Sequence, residues 1–247
     1  MARRKSGLGM CASAVRRCGL VVALGLLVAA GSAFGHTIAG DDATFVQGIV
    51  GPAVGPFIYL GAKHMVTGYD HLLFLVGVVF FLYRLKDVVL YVSLFTLGHS
   101  LTLVGGVLGG LAVDAHLIDA VIGLSVVYKA FENIGGFRLV FGIEPDTRIA
   151  VVVFGLFHGL GLATRLQAMA LSPDGLLENL LSFNLGVEIG QVLALLFVVA
   201  LLFRWRLSAG FSRQAFAANS VLMFAGFLLT GYQLTGFLLP YLRVTVA

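Results

Sequence analysis

Six stretches of the chain, at about residues 66–83, 88–111, 117–134, 149–171, 177–203 and 215–239, are almost continuously apolar. Each approaches or exceeds the roughly 20 residues that an α-helix needs to cross the hydrocarbon of a bilayer. A backbone placed in lipid must satisfy its own N–H and C=O groups, and runs of this length do so as helices. Composition agrees: 59% of the 247 residues are hydrophobic, only 11% are charged, and the mean hydropathy is +1.00. The expected fold is therefore all-α, a polytopic membrane bundle of six transmembrane helices.

A shorter apolar segment, Gly51 to Leu60, carries Pro52 and Pro56. Proline removes a backbone donor and breaks helix interiors, so this segment is expected to be re-entrant or interfacial and not a seventh crossing. The first 35 residues have the order of an export signal: Arg3, Arg4, Lys5, Arg16 and Arg17, an apolar run from Gly19 to Ala30, then the small-residue stretch Ser32-Ala33-Phe34-Gly35. Residues 1–35 are expected to be a signal peptide and 36–247 a single transmembrane domain. Both cysteines, Cys11 and Cys18, fall in the signal, so the mature chain would hold neither a disulfide nor a thiolate ligand.

Loop charges set the expected topology. Arg84 and Lys86, Arg138 and Arg148, and Arg204, Arg206 and Arg213 occupy alternate loops, whereas Asp114, Asp119, Asp174 and Glu178 occupy the others. The positive-inside rule puts the basic set in the cytoplasm. This implies a multi-pass protein of a bacterial-type inner membrane with both mature termini on the outer side. It also puts Asp70 and His71 at the outer end of the first helix. The net charge of +4 resides in those short loops, and nothing in it forms a nucleic-acid footprint.

Ionisable groups inside membrane helices cost about 2.5 to 3.5 kcal/mol on insertion scales and mark pathways or sites. This chain has several: His64, Asp70 and His71 around the first helix, His99 with Ser100 and Thr102 on the second, Glu132 and Asn133 at the end of the third, His158 on the fourth, and Asn184, Glu188 and Gln191 on the fifth. The last three are spaced i, i+4, i+7 and share a helix face. Phe95-Thr-Leu-Gly-His99-Ser-Leu-Thr-Leu103 also echoes Phe154-Gly-Leu-Phe-His158-Gly-Leu-Gly-Leu162, with a histidine at the same place in each. Separated by two crossings, the copies are expected to run in the same direction.

Imidazoles with carboxylates suit divalent transition metals. His64, Asp70, His71, His99, His158 and Glu188 are the expected metal residues, with Ser100, Thr102, Glu132, Asn133, Asn184 and Gln191 as a supporting polar track. His36 would join if cleavage exposed it. His64 and His71 lie seven residues apart, roughly 10 Å on a continuous helix, too far to share an ion unless Gly68 breaks that helix. Lys129 is expected to snorkel or to pair with Glu132.

With these motifs in view, the sequence resembles the HupE/UreJ family of membrane proteins associated with hydrogenase and urease loci, and most of all its second branch. The likeness is carried by His64-x5-Asp70-His71-Leu-Leu-Phe-Leu, Phe95-Thr-Leu-Gly-His99-Ser-Leu-Thr, Ala130-Phe-Glu132-Asn133, Phe154-Gly-Leu-Phe-His158-Gly and Phe183-Asn184-Leu-Gly-Val-Glu188-Ile-Gly-Gln191. The resemblance implies nickel or cobalt permeation without an ATPase, with His64, Asp70 and His71 as the selectivity element. The best-known nickel/cobalt permeases have four residues between that first His and the Asp, where this chain has five. Ni or Co is favoured as the ion, with Zn, Cu or Fe open. The implied partners are the metal ion and the lipid bilayer, with a homo-oligomer or a metalloenzyme maturation system as further candidates. Two other readings stand beside transport: an intramembrane zinc hydrolase, and a metal-binding assembly factor for another membrane complex.

Overall fold

The computed structural model describes residues 45–169 and 171–244; the expected signal peptide and His36 lie outside them. The described residues are helical and contain no strand. The helices are α1 (Val54–Thr67), α2 (Tyr69–Val79), α3 (Leu85–Leu108), α4 (Ala115–Asn133), the short α5 (Gly136–Phe141), α6 (Thr147–Ala168), α7 (Leu176–Arg206) and α8 (Phe211–Val244). Of these, α3, α6, α7 and α8 are long and apolar enough to cross a membrane. The 19-residue α4 carries Asp119, Lys129 and Glu132, all of them stabilised by ion pairs.

The amino-terminal part differs from expectation. Neither a separate short segment at 51–60 nor a first helix beginning at 66 is present; one helix runs from Val54 to Thr67, breaks at Gly68, and resumes as α2. The prolines permit this because of their position. Pro52 precedes the helix and Pro56 lies in its first turn, where backbone N–H groups have no intrahelical partner to lose. The α1 start is held by Asn179 of α7, whose Oδ1 accepts from the Ala53 N–H at 2.7 Å while its Nδ2 donates to the Gly51 carbonyl at 3.1 Å.

Three helix pairs build the bundle: α1 with α7, α3 with α6, and α4 with α8. Each is closed by glycines that let backbones touch. A Cβ at Gly61 would fall 2.0 Å from the Phe183 carbonyl oxygen, and one at Gly186 would fall 2.0 Å from that of Ile58. In the second pair a Cβ at Gly155 would meet the Phe95 oxygen at 2.5 Å, and one at Gly159 the His99 oxygen at 2.1 Å. Across α3 and α6, Phe95 lies opposite Gly155, His99 opposite Gly159 and Gly106 opposite Ala163. Numbers rise together along both helices, so the two echo copies run parallel and pack against each other. The same reading makes α1 parallel to α7, with Ile58 beside Gly186 and Ala62 beside Gly190.

Arg206 closes the carboxyl end of the broken segment. Its guanidinium donates to the carbonyls of Val79, Phe80 and Leu82 at 2.6 to 2.9 Å, at the end of a helix, where carbonyls lack their full set of intrahelical partners.

Candidate metal centre

The break at Gly68 creates the site. The Gly68 N–H donates to the His64 carbonyl and ends α1, and its own carbonyl accepts from the Leu72 N–H and begins α2. A Cβ at this position would lie 2.9 Å from the His64 oxygen and 3.0 Å from His71 Nδ1, so close approach requires glycine. The change of direction brings the His64 and His71 rings to 5.1 Å between centroids, about half the separation expected on a continuous helix.

His71 is the hub. Its ring centroid lies 4.8 Å from that of His158 on α6, 6.0 Å from that of His99 on α3, and 5.1 Å from that of His64 on α1. These four side chains are 9%, 2%, 0% and 1% exposed for His64, His71, His99 and His158, and Asp70 is 4% exposed. His99 and His158 occupy the middle turns of α3 and α6. Asp70 and His71, in the first turn of α2, therefore lie level with the middle turns of α3 and α6. The pair does begin a helix, but α1 precedes that helix in the chain and leads into it through Gly68.

The hydrogen bonds orient the rings. Asp70 Oδ1 accepts from the His71 backbone N–H at 2.8 Å and lies 3.2 Å from His71 Nδ1. With the proton on Nδ1, directed at the carboxylate, His71 Nε2 carries the lone pair. His158 Nδ1 lies 2.7 Å from the Phe154 carbonyl, which can only accept, so Nδ1 of that ring is the protonated nitrogen and Nε2 again holds the lone pair. This pairing with a carboxylate or carbonyl is the usual way in which a metal-binding imidazole is aimed. His99 is fully buried, and neither of its ring nitrogens has a hydrogen-bond partner among the described residues. An imidazole in that state forgoes about 1 to 3 kcal/mol per unsatisfied group, and a ligand that its lone pair can bind would recover that loss.

Aromatic rings wall the cluster. Phe95 stacks on His99 at 6.1 Å and meets His158 edge-on at 5.0 Å; Phe74 lies 5.4 Å from His158 and Phe183 lies 6.0 Å from His64. Their spacing puts them on the histidine faces: Phe74 follows His71 by three, and Phe95 and Phe154 precede His99 and His158 by four. Four imidazoles and a carboxylate in such a pocket are a nitrogen-rich donor set suited to Ni, Co, Zn or Cu(II). Among the described residues no three His, Cys, Asp or Glu side chains already stand in coordinating geometry, so the rings must turn to share an ion.

The remaining expected residues fall elsewhere. Glu188 does not face the imidazoles; it is exposed in a lateral groove between α3 and α7, together with Ser100, Asn184 and Gln191. Thr102 donates to the Leu156 carbonyl at 2.7 Å and ties α3 to α6. Lys129 pairs with Glu132 at 3.1 Å, as its spacing suggested, and Glu132 also accepts from Thr147. Asn133 donates to the Gly77 carbonyl and to Asn219 Oδ1, both at 2.8 Å, and so joins α2, α4 and α8. The continuous track from Glu188 through the histidines to Asn133 is thus divided into a lateral groove, a closed imidazole cluster and a set of interhelical ties.

A helical chain with four membrane-length helices and imidazoles gathered in its interior is a multi-pass membrane protein with a buried histidine cluster. It belongs to the HupE/UreJ family: the family model described as HupE / UreJ protein matches residues 40–241. No curated protein and no solved structure matches the chain.

Proposed function

We propose that this protein is a permease for a divalent transition metal of the nickel/cobalt type, with His64, Asp70, His71, His99 and His158 as the intramembrane binding site. The observation that carries the reading is His99, wholly buried beside His71 with both ring nitrogens lacking a hydrogen-bond partner among the described residues. A purely structural histidine would spend at least one nitrogen on a neighbour. Membership in the HupE/UreJ family adds the transport context.

In this reading α1 and α2 together make one discontinuous crossing, and with α3, α4, α6, α7 and α8 they give six. The parallel course of α1 and α7 supports that count, since both then enter from the outer side. Discontinuous helices that meet at mid-membrane are a common way to build a transport site. His71 Nε2 and His158 Nε2, already aimed by Asp70 and the Phe154 carbonyl, would take the first two positions on the ion. His99 and His64 would complete the shell as the ion loses water. Protons compete with the metal for imidazole, so protonation of the cluster would favour release.

The test is uptake of radiolabelled nickel, cobalt and zinc into proteoliposomes by wild-type, Asp70→Asn and His99→Ala protein. Concentrative or facilitated uptake by the wild type and its loss in both variants supports the permease; equal uptake by all three refutes it. Copy number in the vesicles is matched by quantitative blotting, so a poorly inserting variant is recognised as such.

A further inference from the structure

The groove that holds Glu188 is a second site with a different chemistry. It has a volume of about 500 Å³ and opens laterally between α3 and α7. Ser93, Thr96 and Ser100 of α3 and Asn184, Glu188 and Gln191 of α7 line it, and no basic residue does. Its donors are hydroxyl, amide and carboxylate oxygens, with no imidazole.

Two features of the groove call for a ligand. The Glu188 carboxylate takes part in no hydrogen bond or ion pair among the described residues, although it stands mid-way along a membrane-length helix where an uncompensated charge is costly. Gln191 is 1% exposed, its Oε1 accepts from Thr96 Oγ1 at 3.0 Å, and its amide nitrogen has no partner among the described residues. A half-turn of that amide lets the nitrogen donate to Thr96 and leaves the carbonyl oxygen as the buried end without a partner among the described residues, in the wall of the groove. Ser100 and Asn184, joined at 2.7 and 3.0 Å, supply further oxygens beside it.

One carboxylate among neutral oxygens matches one positive charge: a divalent ion would leave a net charge in lipid, whereas a monovalent ion leaves none. Oxygen-only donors select hard cations over the transition metals that imidazole prefers. We propose that the α3/α7 groove binds a monovalent alkali cation, sodium in the first instance, on Glu188, Ser100, Asn184, Gln191 and Thr96. The site adjoins the imidazole cluster through the chain itself. Ser100 follows His99 on α3, and Asn184 follows Phe183, whose ring lies 6.0 Å from His64. An ion drawing α3 toward α7 therefore moves the histidine-bearing segments toward each other, and so serves as the driving ion; this last step alone rests on the permease reading.

The experiment is equilibrium binding of ²²Na⁺ to the full-length chain in lipid nanodiscs, without transition metal, so the result does not depend on whether the protein transports nickel. Wild type is expected to bind saturably at about one ion per chain. Glu188→Gln, nearly isosteric, is expected to weaken binding at least tenfold, and His99→Leu to leave it within twofold. Thermal unfolding of each variant confirms that it is folded. Absence of saturable binding by the wild type overturns the proposal, as does unchanged binding by folded Glu188→Gln. An equal loss in His99→Leu would put the ion among the imidazoles and also overturn it.

Discussion

Substitution of Gly159 by alanine tests whether the α3/α6 contact sets the geometry of the histidine cluster. The added methyl would stand 2.1 Å from the His99 carbonyl oxygen and 2.4 Å from Thr102 Oγ1. The first of these neighbours is backbone and cannot rotate away. To move from 2.1 Å to the 3.4 Å at which ordinary contact begins, the helices must separate by about 1.3 Å at this level. Metal coordination tolerates about 0.2 Å in bond length, so an α6 displaced by this amount withdraws His158 from any ion held by His71 and His99. Loss of one ligand's support costs at least 10-fold in affinity by analogy with the 10- to 100-fold seen for outer-shell changes, or about 1.4 kcal/mol. Overpacking should cost stability on the order of 1 to 3 kcal/mol as well. Gly105→Ala is the control: it lies on the same helix as His99 but a Cβ there meets nothing within 4 Å. The assay is nickel and zinc binding by chelator competition in nanodiscs, alongside thermal unfolding followed by circular dichroism. If Gly159→Ala binds metal within twofold of Gly105→Ala, the inference that this interface positions the site is wrong.

Replacing His99 with leucine separates a ligand from a structural residue. Because neither of its ring nitrogens has a hydrogen-bond partner among the described residues, the metal-free His99→Leu protein is expected to unfold at the same temperature as wild type or slightly higher, while its metal affinity falls at least tenfold; a clear loss of metal-free stability would mean that the ring has a structural role. Asp70→Asn should retain the fold but lose the carboxylate that orients His71, lowering metal affinity 10- to 100-fold, and wild-type binding should itself weaken as pH is lowered because imidazolium cannot ligate. Chelator competition across pH 8 to about 5.5 checks both, and a pH-independent affinity would exclude imidazole ligands.

Much of the bundle could be read from the chain because lipid imposes a local rule. A helix in hydrocarbon satisfies its backbone within one segment, so the apolar runs at 88–111, 117–134, 149–171, 177–203 and 215–239 locate α3, α4, α6, α7 and α8 to within a few residues. The pairing of Lys129 with Glu132 was legible for the same reason, being set by one turn of helix. The parallel run of the His99 and His158 copies followed from counting crossings, and their rarity as polar residues in apolar surroundings pointed to the interior.

What no local rule could supply was the relation between helices. Pro56 looked like a breaker until Asn179, 126 residues from Ala53, was seen to cap the helix it begins. Glu188 and Gln191 share a helix face, which suggested one inward stripe, yet that face is divided between a buried amide and an open groove because α3 packs only loosely on α7. The sequence by itself determined which residues are polar in lipid and that they must be gathered somewhere. The tertiary structure alone decided which are gathered together: a break at Gly68, the only side-chain-free position between His64 and His71, brings His71 against His64, His99 and His158 and leaves Glu188 to a different site. Periodicity fixes which way a side chain faces on its own helix, whereas the approach of two helices depends on glycines placed on both, and that information is distributed over distant parts of the chain.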